Sequence, residues 1–155
     1  MERAEHVLVL TADARFARAL DVLLLGSGFG PTSRVATVAE LLARRDVDAQ
    51  WAFVAIDVKD VPDAAGVIAR TRDAFTRSRI LVFSGALAVE AVSDFWMAGA
   101  DGLLSVTSSA EGLARALRTV ASGLKVISEE LLPKEGQDVV YLGSQERHRD
   151  MRSRN

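Results

Sequence analysis

An α/β fold is what this sequence predicts: a doubly wound five-stranded parallel sheet with helices on both faces. Three observations carry the prediction. Short apolar runs alternate with apolar stripes at helical spacing, five times over. The runs Val7–Leu10, Trp51–Asp57 and Ile80–Ser84 lack polar alternation, as strands buried on both faces of a parallel sheet require. Three of the stripes stop at or near a glycine, Gly26, Gly99 and Gly123, a residue that commonly follows a helix.

The elements follow in order. Val7–Leu10 is the first strand, and Phe16, Ala19, Leu20, Leu23 and Leu24 mark the first helix. Gly26-Ser-Gly-Phe-Gly-Pro31 ends that helix. A Gly-x-Gly-x-Gly run that cradles phosphate would join a strand to a helix start; this one follows a helix, so a turn is the better account. Ser33–Ala36 fits a short edge strand, and Thr37-Val-Ala-Glu40 has the spacing of a capping box ahead of Leu41 and Leu42. Trp51–Asp57 is the third strand; Val67, Ile68, Thr71 and Phe75 form the next stripe. Ile80–Ser84 is the fourth strand, with Val89, Val92 and Trp96 on the helix after it. Gly102–Val106 is the fifth, followed by a second capping-box spacing, Ser108-Ser-Ala-Glu111, and the stripe Leu113, Ala116, Leu117, Val120. Residues 5–123 thus form one domain. Residues 124–155 read as a linker and a charged C-terminal tail, partly disordered, in which Ser128–Leu132 fits one helical turn.

Composition removes several function classes. A formal charge of −2 and a pI near 5.7 do not suit an electrostatic nucleic-acid or membrane binder. Cysteine is absent, which excludes disulfides and thiolate metal sites. His6 and His148 are not in a ligand-spaced pair, so no metal or other cofactor is expected. No apolar span reaches transmembrane length, and Met1–His6 is too polar for a secretory signal, so a cytoplasmic protein without membrane partners is expected. No nucleophile, base and orienter can be assembled from the residues, so the chain reads as a non-enzyme.

Open α/β sheets bind ligands outside the carboxyl ends of their strands. Asp57 ends the third strand and Ser84 the fourth, so both are candidates for a site. At this point the chain resembles the receiver domain of two-component response regulators, closest to the receiver of LuxR/NarL-type regulators. The resemblance spans about residues 5–132 and rests on Ala98-Gly-Ala-Asp-Gly102, Ser109-Ala-Glu-Gly-Leu113 and Val126-Ile-Ser-Glu-Glu-Leu131. It implies a flavodoxin-like strand order of 2-1-3-4-5. It also implies that Asp57 is the phosphoacceptor and Ser84 the hydroxyl that senses the phosphoryl group. The departures are as informative. The family's two Mg²⁺-holding acids align with Thr11 and Ala12, with Asp13 one residue beyond. The family's lysine at the end of the fifth strand aligns with Val106, and its aromatic switch residue, on the same strand, with Leu103. The three lysines, at 59, 125 and 134, lie elsewhere.

Phosphoryl transfer relies on countercharge around the phosphoryl oxygens, which the aligned residues do not supply. The site made by Asp57, Ser84, Thr11, Ala12, Asp13 and Val106 therefore reads as a degenerate phosphoacceptor site. The function that follows is a phosphorylation-independent pseudo-receiver, a protein–protein interaction module in signal transduction or transcriptional regulation. A partner protein or a second copy is expected on the surface of the fourth helix, fifth strand and fifth helix, drawing on Val89, Val92, Phe95, Trp96, Met97, Leu103 and Leu117. The alternative is the receiver part of a LuxR-type DNA-binding regulator with residual phosphorylation at Asp57. Direct DNA binding is not expected, because some twenty residues beyond the linker are too few for a helix-turn-helix domain.

Overall fold

The computed structural model describes residues 6–46 and 51–132. The expected linker at 133–136, Lys134, His148 and the charged run 145–155 lie outside the described residues.

Strands β1 (His6–Leu10), β2 (Thr32–Val35), β3 (Trp51–Asp57), β4 (Arg79–Ser84), β5 (Gly102–Ser105) and β6 (Val126–Ile127) form one parallel sheet in the order β2-β1-β3-β4-β5-β6. Helices α1 (Ala14–Gly26), α2 (Val38–Ala43), α3 (Ala64–Ala74), α4 (Val89–Ala98) and α5 (Ala110–Ala121) connect them. The five expected strands keep the expected order, and β6 extends the sheet by one. Its two residues pair with Gly102 and Leu103, and the Ser128 N–H continues the ladder to the Leu103 carbonyl. A strand this short carries no periodicity, so only the open edge of β5 reveals it.

Alternate side chains divide the core into two layers. Leu8, Leu10, Val54, Ile56, Ile80, Val82 and Leu103 pack with Leu41, Val67, Ile68, Phe95 and Trp96 from α2, α3 and α4. Val7, Val9, Phe53, Ala55, Leu81, Phe83 and Leu104 pack with Leu20, Leu24, Leu113, Leu117 and Val120 from α1 and α5. β3 is buried from Phe53 to Asp57 because it carries both layers at once.

Helix starts follow local chemistry. The Thr37–Glu40 capping box is formed in both directions. At α5 the cap is Ser109, whose Oγ accepts the Gly112 N–H at 3.0 Å. The second expected box is therefore displaced by one residue and loses its reciprocal glutamate. Ser108 is held outside the helix by its N–H on the Ser105 carbonyl.

The motif Ala98–Gly102 has a packing explanation. Gly99 has φ of 116° and ends α4; a Cβ there would lie 2.7 Å from Arg72 Cδ. Asp101 then ties three elements together: its carboxylate accepts the Ile80 N–H at 2.8 Å, pairs with Arg72 at 3.2 Å and lies 3.5 Å from Lys125. Arg72 also donates to the carbonyls of Phe75 and Ser78, and the Lys125 ammonium sits 5.5 Å from the centre of the Trp96 ring.

Candidate functional site

The order of the sheet reverses between β1 and β3, which opens a crevice beyond their carboxyl ends. Thr11 follows β1 there and Asp57 closes β3. Both are buried, at 2% and 7% exposure, so every polar atom they carry must be satisfied locally.

Thr11 and Asp57 satisfy each other. The Thr11 hydroxyl donates to Asp57 Oδ2 at 2.7 Å. The other carboxylate oxygen, Oδ1, accepts the Lys59 N–H at 3.1 Å. Thr11 Oγ1 in turn accepts the Asp13 N–H at 3.0 Å, which fixes the direction of its proton toward Asp57. The Thr11 carbonyl accepts from Arg34 Nε of β2 at 3.1 Å. That side chain is exposed, and spacing gave no signal for it because it reaches in from the edge strand.

Asp13 has a different task. It caps α1, its Oδ1 accepting the N–H groups of Arg15 at 2.9 Å and Phe16 at 3.2 Å. Those two amides, helped by the nearby Lys59 and Arg15 cations, hold its carboxyl below the ordinary 3.8. Ala12 between them carries no donor or acceptor on its side chain.

Across the crevice the Ser84 hydroxyl donates to the Ala86 carbonyl at 2.8 Å and accepts the Ala86 N–H at 3.3 Å. It is thus turned into its own loop. Val106 follows β5 with its N–H on the Ser84 carbonyl and is 45% exposed. The β3–α3 loop turns through left-handed Asp60 and Asp63, a conformation Asp tolerates better than most residues.

A receiver fold implies a Mg²⁺ ion beside the acceptor aspartate, and this donor set does not fit one. Mg²⁺ takes near-octahedral oxygen ligands, usually one or two carboxylates with water and phosphate. Here Asp57 is hydrogen-bonded to a threonine, Asp13 is committed to two helix amides, and Ala12 offers nothing. Among the described residues no three Asp, Glu or His side chains converge as a metal-holding group.

The expected interaction surface divides. Phe95, Trp96, Leu103 and Leu117 are 6%, 9%, 0% and 0% exposed, so the structure removes them from the surface. Phe95, Trp96 and Leu103 belong to the core under α3 and α4, and Leu117 to the core under α1 and α5. Val92 is half-buried. Val89 and Met97, at 43% and 82%, remain as exposed apolar side chains on α4. Three consecutive residues cannot share one helix face; of Phe95, Trp96 and Met97, the last is the one turned to solvent.

No helix among the described residues is long and apolar enough to cross a membrane. No protein-family model matches the sequence, and no curated protein matches it. Solved structures do match the fold. A Burkholderia thailandensis protein described as a pilus assembly protein is 20% identical, with a TM-score of 0.67 over 76% of this chain and 98% of its own. The domain described as the signal receiver domain of the Mycobacterium tuberculosis response regulator NarL is 20% identical, with a TM-score of 0.69 over 79% and 99%. A Burkholderia pseudomallei response regulator, solved with a phosphorylated aspartic acid, a calcium ion and citrate, is 25% identical, with a TM-score of 0.65 over 76% and 69%. The chain therefore has the fold of response-regulator receiver domains.

Proposed function

We propose that this chain is a phosphorylation-independent pseudo-receiver: a non-enzymatic binding module in a signalling or transcription-regulating pathway. The observation that carries this reading is the Thr11–Asp57 hydrogen bond of 2.7 Å. A carboxylate that bonds a neutral hydroxyl and a backbone amide is satisfied without a cation. Accepting a phosphoryl group needs countercharge on its oxygens, and each oriented group that supplies it is commonly worth about 10²–10³ in rate. Thr11, Ala12 and Val106 bring none. A partner protein is then recognised by the α4 side, where Val89 and Met97 are exposed, without a phosphorylation step to switch it.

A second reading is supported by the Burkholderia pseudomallei regulator that carries a phosphorylated aspartic acid. In it, Asp57 retains residual acceptor activity inside a LuxR-type regulator. One experiment separates the two: titration with beryllofluoride and Mg²⁺ followed by NMR. The pseudo-receiver reading expects spectra that do not change around Asp57. Shifts across the crevice that vanish in Asp57→Asn would establish the second reading instead.

A further inference from the structure

Among the described residues β6 ends the sheet, and its outer edge is open. Val126 and Ser128 turn their N–H groups inward, to the carbonyls of Asp101 and Leu103 at 3.2 and 2.9 Å. Ile127 between them turns its own peptide groups outward, and an edge of this kind pairs readily with another extended segment. Beside the edge runs a groove of about 460 Å³. Gly112, Arg115, Ala116 and Thr119 of α5 form one wall, and residues 126–130 the other. The lining is half-buried at Gly112, Ala116, Thr119 and Val126, while Arg115, Glu129 and Glu130 stand exposed along the rim. Neither the crevice nor the α4 surface uses this groove.

The chain itself carries a segment that fits. The second wall ends at Glu130, and residues 133–155 continue a few positions further on, outside the described residues. They contain one apolar run of four, Val139-Val-Tyr-Leu142, whose β-branched and aromatic side chains favour a strand. Pro133 and Gly136 ahead of it suit a reversal of the chain. Residues 133–138 span up to about 20 Å when extended, enough to bring the run back beside β6. A segment that turns back in this way lies antiparallel to β6, and an antiparallel edge strand on a parallel sheet is a common arrangement. So short a tether holds the run near the groove at an effective concentration on the order of millimolar, which favours it over a segment of another molecule.

We propose that residues 139–142 dock on the open edge of β6 as a seventh, antiparallel strand within the same chain. Val126 packs with the layer of α1 and α5, and Ile127 with the layer of α3 and α4. Residues set opposite Val126 and Ser128 therefore face α5. Val140 takes the outward peptide groups of Ile127, and its neighbours Val139 and Tyr141 turn into the groove. The Tyr141 ring lies against Ala116, with its hydroxyl at the polar rim. The docked strand covers the sheet edge and leaves Asp57 and α4 untouched.

Tyr141 is the single tyrosine of the chain, which makes the contact readable. In NMR of the full chain, NOEs from the Tyr141 ring to the Ala116 methyl are expected. Hydrogen exchange at the Ile127 amide is expected to be slow, and Val140→Pro, which cannot donate to a ladder, to speed it about tenfold or more. Amide exchange in β1 and β3 is expected to be the same in the variant, showing that the fold is intact. An Ile127 amide that exchanges at one rate in both proteins overturns the proposal. So does a Tyr141 ring without NOEs to α5, or protection of Ile127 that is lost on dilution, which would place another copy's segment in the groove.

Discussion

At the residue scale, Thr11 determines the character of the crevice. Its hydroxyl holds two things in register, the Asp57 carboxylate and the Asp13 N–H, and its backbone carbonyl holds a third, Arg34. Thr11→Val keeps the shape and removes the hydroxyl, so a buried oxygen of Asp57 loses a partner that water replaces poorly. Denaturation in urea is expected to show a loss of about 1–3 kcal/mol. The same substitution made on an Asp57→Ala background is expected to cost much less, because the two side chains act as a pair. Equal costs in both backgrounds would mean that the hydrogen bond contributes nothing. The sequence makes Asp57 visible, since a single acid ends a long apolar run, but it hides the pairing. The partners are 46 residues apart, and the direction of a hydroxyl leaves no trace in spacing. Asp13 is the converse case. Beside two missing acids it reads as a spare metal ligand, whereas its position just ahead of a helix makes it a cap.

At the scale of elements, burial separates residues that composition had grouped. Leu117 and Met97 are both large, apolar and helical, yet one is 0% and the other 82% exposed. Leu117→Ala empties space between α5 and the sheet and is expected to cost about 2–5 kcal/mol. Met97→Ala changes only solvent-facing area and is expected to stay within about 0.5 kcal/mol. Urea denaturation of the two variants checks both, and a neutral Leu117→Ala would show that α5 does not pack as described. This contrast also marks how far elements can be read from sequence. The central strands were legible because burial on both faces writes itself as unbroken apolar runs. The Thr37 box was legible because its two partners are three residues apart. The α5 cap was read one residue early because Ser108 and Ser109 are equally good caps. The choice between them depends on the bond from Ser108 to Ser105. β6 was missed because its hydrogen bonds come from β5, not from anything in its own two residues.

At the scale of the whole molecule, the strand ends bring together one carboxylate and several neutral side chains: Thr11 after β1, Asp57 on β3, Ser84 on β4 and Val106 after β5. The sheet positions them as a reaction centre would be positioned, and on the proposed reading what is missing is charge. Rebuilding the charge without touching the sheet tests that statement. In Thr11→Asp/Ala12→Asp/Val106→Lys, a new carboxylate takes the place of a hydroxyl that lies 2.7 Å from Asp57. Two carboxylates that close disfavour each other's ionisation, so in chelator the variant is expected to melt below the wild type. A divalent ion binds the ionised pair and not the unfolded chain, so millimolar Mg²⁺ is expected to raise the melting temperature of the variant and leave the wild type unmoved. With the countercharge restored, acetyl phosphate and Mg²⁺ are expected to add a phosphoryl group to the variant alone, read by intact mass and abolished by Asp57→Asn. If the wild type gained the same mass, the neutral side chains at 11, 12 and 106 would be no barrier to transfer. If the variant gained neither Mg²⁺ stabilisation nor a phosphoryl group, charge at positions 11, 12 and 106 would not be sufficient for transfer in this crevice.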